Sequence, residues 1–464
     1  MGRRWYNMVI LMAGCLIFCF TLSCINDQPD KPGYGDDLPY TVAINFTTLN
    51  TRAGNSPVPE KIRSFRIIIT SIPSQEVDGD SDTDGSPESG EIVQLNTYVT
   101  EEILASSFNY NLLWNTDKGI KNFYILANEE SVGNLSYSNG ITGATNLSTL
   151  LNSYAEGSDA SGLKTILTSA YFTPEYKIDS SGDIYLPYTS IYEGIKVEKT
   201  IESYEMHIVP VATKFIFNFI NYRASEVYIN GISLNSTNTD NYLFANVGEK
   251  NMQMSLPEDT TTFYYWVDWL AKVSELSQDN EGFSPNQSFN TRYGWLWDYS
   301  IPTSNVNDPY VFVAKEEQIQ IPGLSYPEDE GDVEDEEEDV AGIPGKYTAG
   351  PFYVPESKVN VEEPDASHKG RQLQRYYLTI GLADSDPDNN EVPDFSEVEI
   401  DNLRALFRNT SVIINMVMRQ GEVGIYAEIA PWTEQQSMGY VEEGNKPGFL
   451  NNSAGFRLLR NVVK

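Results

Sequence analysis

The chain has 464 residues, a formal charge of −35 and 29 tyrosines. So acidic a balance argues against a phosphate-backbone binder, which needs Lys and Arg to displace counterions, and against docking on anionic lipid through the folded surface. The three cysteines all fall in the first 24 residues, and there are two histidines, so the body has no disulfide or thiolate metal site and little means of building a His-dependent triad or metal centre. The length suits two or three domains.

Arg3 and Arg4 precede a short apolar stretch from Val9 to Leu22, which ends in Thr21-Leu22-Ser23-Cys24 before a polar run. This predicts a signal peptide over 1–23, too short for a membrane span. Ser23-Cys24 resembles a relaxed bacterial lipobox, so Cys24 is the expected lipidation site. Met12-Ala13-Gly14-Cys15 is lipobox-like too, but leaves a greasy run after its cysteine. An ordinary signal peptide with an incidental Cys is the plainer alternative.

Residues 24–37 are rich in Asp, Pro and Gly and read as a tether. Tyr40 to Phe46 alternates apolar and polar residues, the period of a half-buried strand. Thr51-Arg52-Ala53-Gly54 is loop by composition, and Ile62 to Ile69 is a second strand. Residues 73–91 are an acidic turn region, followed by strands over Ile92–Val99 and Asn122–Asn128. Helical turns are expected over Leu147–Tyr154 and Gly162–Ser169, and more strand over Ile195–Glu198.

A second strand set begins near Met206, with a strand-rich run to Phe219 and another over Val227–Leu234. Residues 300–350 read as loop, including an exposed acidic run from Glu328 to Asp339. Strands resume at Phe352–Val354, Tyr376–Leu382, Val412–Met418 and Val423–Ile429, the last two flanking a hairpin turn at Arg419–Glu422. Many short strands with polar turns and few helices predict β-sandwich domains. The expected organisation is signal peptide 1–23, tether and first strand 24–52, a β-sandwich over 53–202, and a second over 203–464 with the acidic insertion near 300–350.

Several segments in one order resemble the FimA/Mfa-type fimbrillins of Bacteroidales, the subunits of type V pili. They are Lys61–Ile69, Asn122–Glu129, Leu186-Pro187-Tyr188, Val209–Phe215, Phe352–Glu356, Phe407–Thr410 and Ala430-Pro431-Trp432. Val209 stands where the family usually has Arg. Each segment is weak alone, and the acidic insertions and residues 433–464 fall outside the match. The resemblance implies an all-β chain of two transthyretin-like β-sandwich domains in tandem, exported as an acylated outer-membrane lipoprotein. It further implies proteolytic removal of the leader with the first strand, then filling of the open groove by a neighbouring subunit's strand. On this sequence Tyr40–Leu49 is the removable strand, and Arg52-Ala53 the processing site. Arg63 and Arg66 lie in or beside a predicted strand and are poorer sites. Arg52 as a plain loop residue, with the leader retained, is the alternative.

Asp80, Asp82 and Asp84, with Gly85 and Glu91, satisfy the spacing of a calcium loop. Their flanks read as strands rather than helices, so an acidic hairpin loop is the plainer reading. No nucleotide-binding Gly loop or Ser nucleophile elbow is found, and neither enzyme activity nor a cofactor is expected. The aromatic runs Phe263–Trp266 and Tyr293–Trp297 read as core, or as a sugar-binding platform. The expected partners are other fimbrial subunits and, through the lipid anchor, the outer membrane. The competing reading is a permanently anchored glycan-binding lipoprotein. Phe456–Val463 is a donor-strand candidate of poor alternation, and with the long insertion it favours an accessory or tip subunit over a stalk subunit.

Overall fold

The computed structural model describes residues 40–48, 60–72, 90–176, 179–198, 201–235, 237–244, 309–326, 342–357, 376–383, 394–400, 403, 406–431 and 459–461. In its first half lie β1 (Tyr40–Thr48), β2 (Lys61–Ile72), β3 (Ile92–Leu104), β4 (Asn109–Thr116), β5 (Gly119–Ala127), β6 (Leu135–Tyr137), β7 (Ala170–Phe172), β8 (Tyr188–Val197) and β9 (Ile201–Pro210). Two short helices, α1 (Leu147–Asn152) and α2 (Leu163–Ser169), precede β7. The second half holds β10 (Thr213–Asn221), β11 (Val227–Leu234), β12 (Asn241–Tyr242), β13 (Tyr310–Ile321), β14 (Gly345–Val354), β15 (Tyr377–Ala383), β16 (Asp394–Glu399), β17 (Thr410–Arg419), β18 (Glu422–Pro431) and β19 (Leu459–Asn461).

The first seven-stranded sheet runs β3-β2-β5-β8-β9-β1-β4. β8 and β9 are joined only by the pairs Tyr188↔Pro210 and Thr189↔Val209. On either side of that junction the halves face each other across one core, with Val42, Ile44 and Phe46 from β1, Ile67 and Ile69 from β2, and Phe123 and Ile125 from β5. This is a β-sandwich. Ile62 and Phe65 share this core despite their odd spacing, because the β2–β3 register shifts between Ile62 and Ser64.

β2 and β5 are buried on both faces. Their second face, with Ile68, Tyr124 and Leu126, packs on Leu147, Leu150 and Leu151 of α1 and Leu163 and Leu167 of α2. Burial on both sides is why Phe65–Thr70 and Phe123–Ala127 lack polar alternation. Asn146 caps α1 by accepting from the Thr149 backbone N–H at 3.0 Å.

The second sandwich packs the sheet β14-β10-β17-β18-β19 on β13-β11-β15-β16. Phe215, Phe217 and Phe219 alternate inward from β10 and meet Val412, Ile414, Met416 and Met418 of β17. Phe312 of β13 closes edge-on against Phe217 at 5.0 Å between centroids. The expected hairpin is present, with β17 and β18 antiparallel from Thr410↔Pro431 to Arg419↔Glu422. Gly421 takes the positive φ of 71° that this tight turn requires.

One expectation is corrected here. Residues 300–350 are not simply loop, because β13 and the start of β14 lie within them. Phe312, Ile319 and Ile321 supply core contacts there, and the polar run Lys315–Gln318 between them masks the strand in the sequence. Thr200–Tyr204, read as a boundary, includes the start of β9, and the chain passes from one sandwich to the other at Val211-Ala212.

Four buried tyrosines tie the fold to pH. Burial pushes the hydroxyls of Tyr124, Tyr188, Tyr353 and Tyr376 upward, and the Glu60 charge adds to this at Tyr188 and Tyr353. A raised folded pKa gives a stabilising contribution that is complete below the unfolded value of about 10 and is lost as pH rises beyond it. Cooperative alkaline unfolding is therefore expected from about pH 10 upward. Tyrosinate absorbance should jump together with loss of structure. A smooth rise with the sheets intact would contradict this.

Candidate assembly site

β1 lies inside its sheet, with a strand hydrogen-bonded on each side. It runs antiparallel to β4, from Tyr40↔Thr116 to Thr47↔Asn109. It runs parallel to β9, from Thr41↔Ile201 to Thr48↔Ile208. Its alternation fixes its two faces. Val42, Ile44 and Phe46 are fully buried, while Thr41, Ala43 and Asn45 are half-buried on the outer face. Phe46 sits 5.3 Å from Phe65 and 6.4 Å from Tyr110 between ring centroids, so β1 closes an aromatic cluster made with β2 and β4. Tyr110, Leu112 and Trp114 of β4 and Tyr204 of β9 flank it on the core side.

The chain is next described at Glu60, which is firmly held. Its carboxylate accepts from Lys214 Nζ at 2.7 Å and from the Tyr353 hydroxyl at 2.9 Å, both in the second sandwich. Its carbonyl accepts from the Ala105 N–H at 2.8 Å. The basic residues that follow are engaged as well. Lys61 pairs with Asp183 at 2.7 Å and Glu102 at 3.1 Å, and these hydrogen bonds raise its pKa. Arg63 lies over the Tyr185 ring at 3.8 Å. Arg66 is buried against Glu129, with Nε to Oε2 at 2.6 Å and Nη2 to Oε1 at 2.9 Å. Arg63 and Arg66 thus both lie inside β2, where a protease needing an extended, unpaired segment has no access.

The segments that carried the family resemblance prove to be the fastenings of the fold. Asn128 adopts a left-handed φ of 55°, and its side chain donates to the carbonyls of Lys61 and Leu186 at 2.8 and 2.7 Å. Glu356 and Arg408, from two separate segments, form one buried ion pair with Nη2 to Oε2 at 2.6 Å. Arg408 also donates to the Tyr242 carbonyl at 2.8 Å and to Thr189 Oγ1 on β8 at 3.2 Å, so it spans both sandwiches. Asn409, at φ 58°, donates its N–H to the carbonyls of Pro210 and Ala212 at the crossing. The sequence reading did not foresee this pairing. The signal was a Glu directly after Phe352–Pro355 and an Arg directly after Leu406-Phe407, charges at the ends of apolar runs that must find partners once buried.

Cys24, Arg52, Ala53, Asp80, Asp82, Asp84, both aromatic runs and Trp432 lie outside the described residues. Glu91 is described, and its Oε1 accepts from Asn122 Nδ2 at 2.8 Å and from the Thr70 hydroxyl. Among the described residues no group of three or more metal-ligating side chains converges, and no helix is long and apolar enough to cross a membrane. Of the donor-strand candidate, Leu459–Asn461 pair antiparallel with β18 of the same chain, from Ile425↔Leu459 to Val423↔Asn461.

No family model and no curated protein matches the chain. Solved structures do. The C-terminally truncated tip fimbrial protein Mfa3 from Porphyromonas gingivalis aligns over 85% of this chain and 100% of its own, at 10% identity and a TM-score of 0.41. A fimbrial assembly protein from Parabacteroides distasonis aligns over 85% of this chain and 96% of its own, at 8% identity and a TM-score of 0.35. This all-β chain is thus aligned along most of its length with two solved structures described as fimbrial proteins.

Proposed function

We propose that the chain is a structural subunit of a surface fimbrium, assembled by strand exchange once its leader is cut after Arg52. The supporting observation is β1. It is an interior strand, sixth of seven in its sheet, with three fully buried side chains, and its covalent link to the body is residues 49–59, which carry Arg52-Ala53. Burying three such side chains is worth about 5–9 kcal/mol, so the slot strongly favours being filled. Without β1, the facing edges of β4 and β9 lose their hydrogen-bond partners and the core opens. An uncovered edge above an apolar groove is a pairing site for another chain's strand.

In this reading the precursor is acylated at Cys24 and held in the outer membrane. The mature subunit is passed to the cell surface and contributes to adhesion. Its position is accessory or tip. A stalk subunit must give its C-terminal segment to a neighbour, whereas Leu459–Asn461 here pair with β18 of their own chain.

The test is intact mass and N-terminal sequencing of protein sheared from the native host's surface. The expected chain begins at Ala53, and Arg52→Gln should leave an acylated chain beginning at Cys24 that is absent from filaments. Filaments built from chains that still begin at Cys24 would overturn the reading.

A further inference from the structure

The strand that occupies the slot in this chain fits one end of it poorly. Lys121 of β5 projects from the same face as Phe123, into the sandwich, and is only 2% exposed. Its ammonium reaches across to β4 and lies 5.9 Å from the ring centroid of Trp114, the residue opposite Val42. Among the described residues no carboxylate forms an ion pair with it. Burial pulls its pKa down, and the Asp117 charge opposes this without pairing. A buried ammonium with no counter-charge is a costly arrangement.

Two residues after Trp114 on β4, the same end shows a hydroxyl without a partner. Thr116 lies directly opposite Tyr40, on the core face of β4, and its buried hydroxyl has no hydrogen-bond partner. On β1 itself, Asn45 Oδ1 is likewise buried and unpartnered. The native first strand thus satisfies the apolar part of the slot with Val42, Ile44 and Phe46. At its Tyr40 end it supplies no counter-charge to Lys121 and leaves the Thr116 hydroxyl without a hydrogen-bond partner.

We infer that the partner strand which replaces β1 carries an Asp or Glu at the position of Tyr40, and that Lys121 and Thr116 hold its carboxylate. An ammonium and a hydroxyl converging on one anion form charge-assisted hydrogen bonds, the strong class. β1 then acts as a placeholder that the acidic strand outcompetes by satisfying the donors β1 leaves bare. The inference rests on the strand-exchange reading above.

The test uses the full chain with a specific protease sequence inserted between Asn50 and Thr51. Once nicked there, β1 stays bound non-covalently and its displacement by added peptide is measured. End-capped peptides spanning residues 38–50 carry the native sequence, Tyr40→Glu or Tyr40→Gln. The Glu peptide should bind about tenfold more tightly than the Gln peptide, or better, and on Lys121→Met the ratio should fall to about one. Equal binding of the Glu and Gln peptides to the unmodified slot overturns the inference and leaves strand exchange standing. If no peptide displaces β1, the native sequence included, strand exchange itself falls.

Discussion

Replacing Arg408 with Met lowers the unfolding free energy by about 3–5 kcal/mol. The loss comes mainly from what stays behind. Glu356 remains buried, with both carboxylate oxygens stripped of the guanidinium that bonds them. The Tyr242 carbonyl and the Thr189 hydroxyl lose this donor as well, while the Leu243 carbonyl keeps the Thr189 hydroxyl as a donor. Because Arg408 stitches β8 to the segments around residues 242 and 356, both sandwiches should loosen together. Urea unfolding followed by two probes, one in each sandwich, checks this. The double variant R408M/E356L should recover a large part of the loss, since an apolar pair avoids the unmatched charge. A single variant that unfolds at the unmodified midpoint would show that the pair is dispensable.

The second large effect belongs to β1. Phe46→Ala should cost about 3–5 kcal/mol, because it empties the volume between Phe65 and Tyr110. Thr41→Ala on the outer face of the same strand should stay within about 0.5 kcal/mol, the usual range for surface changes. In intact protein the difference reads as a shift of the denaturation midpoint. In a chain nicked between residues 50 and 51 it reads as release of β1 from the Phe46→Ala protein and retention in the Thr41→Ala protein. Equal behaviour of the two variants would mean that the buried face of β1 does not hold it in place.

The strands that stood out in the sequence were those whose pattern matched their burial. Tyr40–Phe46 and Val227–Leu234 alternate, and Ile62–Ile69 is rich in Ile and Phe and ends in three consecutive isoleucines. All three are strands in the structure. β4 was missed because Asn109-Tyr110-Asn111-Leu112 reads as polar turn chemistry, although its even-numbered residues line the core. β16 was missed because Ser396, Glu397 and Glu399 hide Val398, which alone of its described side chains is buried in the core. The first strand of the candidate site was legible for the same reason as the fold, by its alternation. Lys121 was not. In the sequence it is an ordinary Lys in Gly119-Ile120-Lys121, and only the pairing of β2 with β5 turns it inward.

The slot around β1 has a further consequence for which positions of its strand are free to change. Its inner wall touches only every second residue of whatever strand lies in it, the positions of Val42, Ile44 and Phe46. A one-residue slip would turn those side chains out to solvent, so register is strongly enforced. The alternate positions, those of Thr41, Ala43 and Asn45, are half-buried on the outer face and carry less of this constraint. A strand read at half its letters can keep one fixed grammar for assembly while its remaining letters drift. Under the proposed strand exchange, subunits whose exposed faces have become strangers to one another would still be able to join end to end.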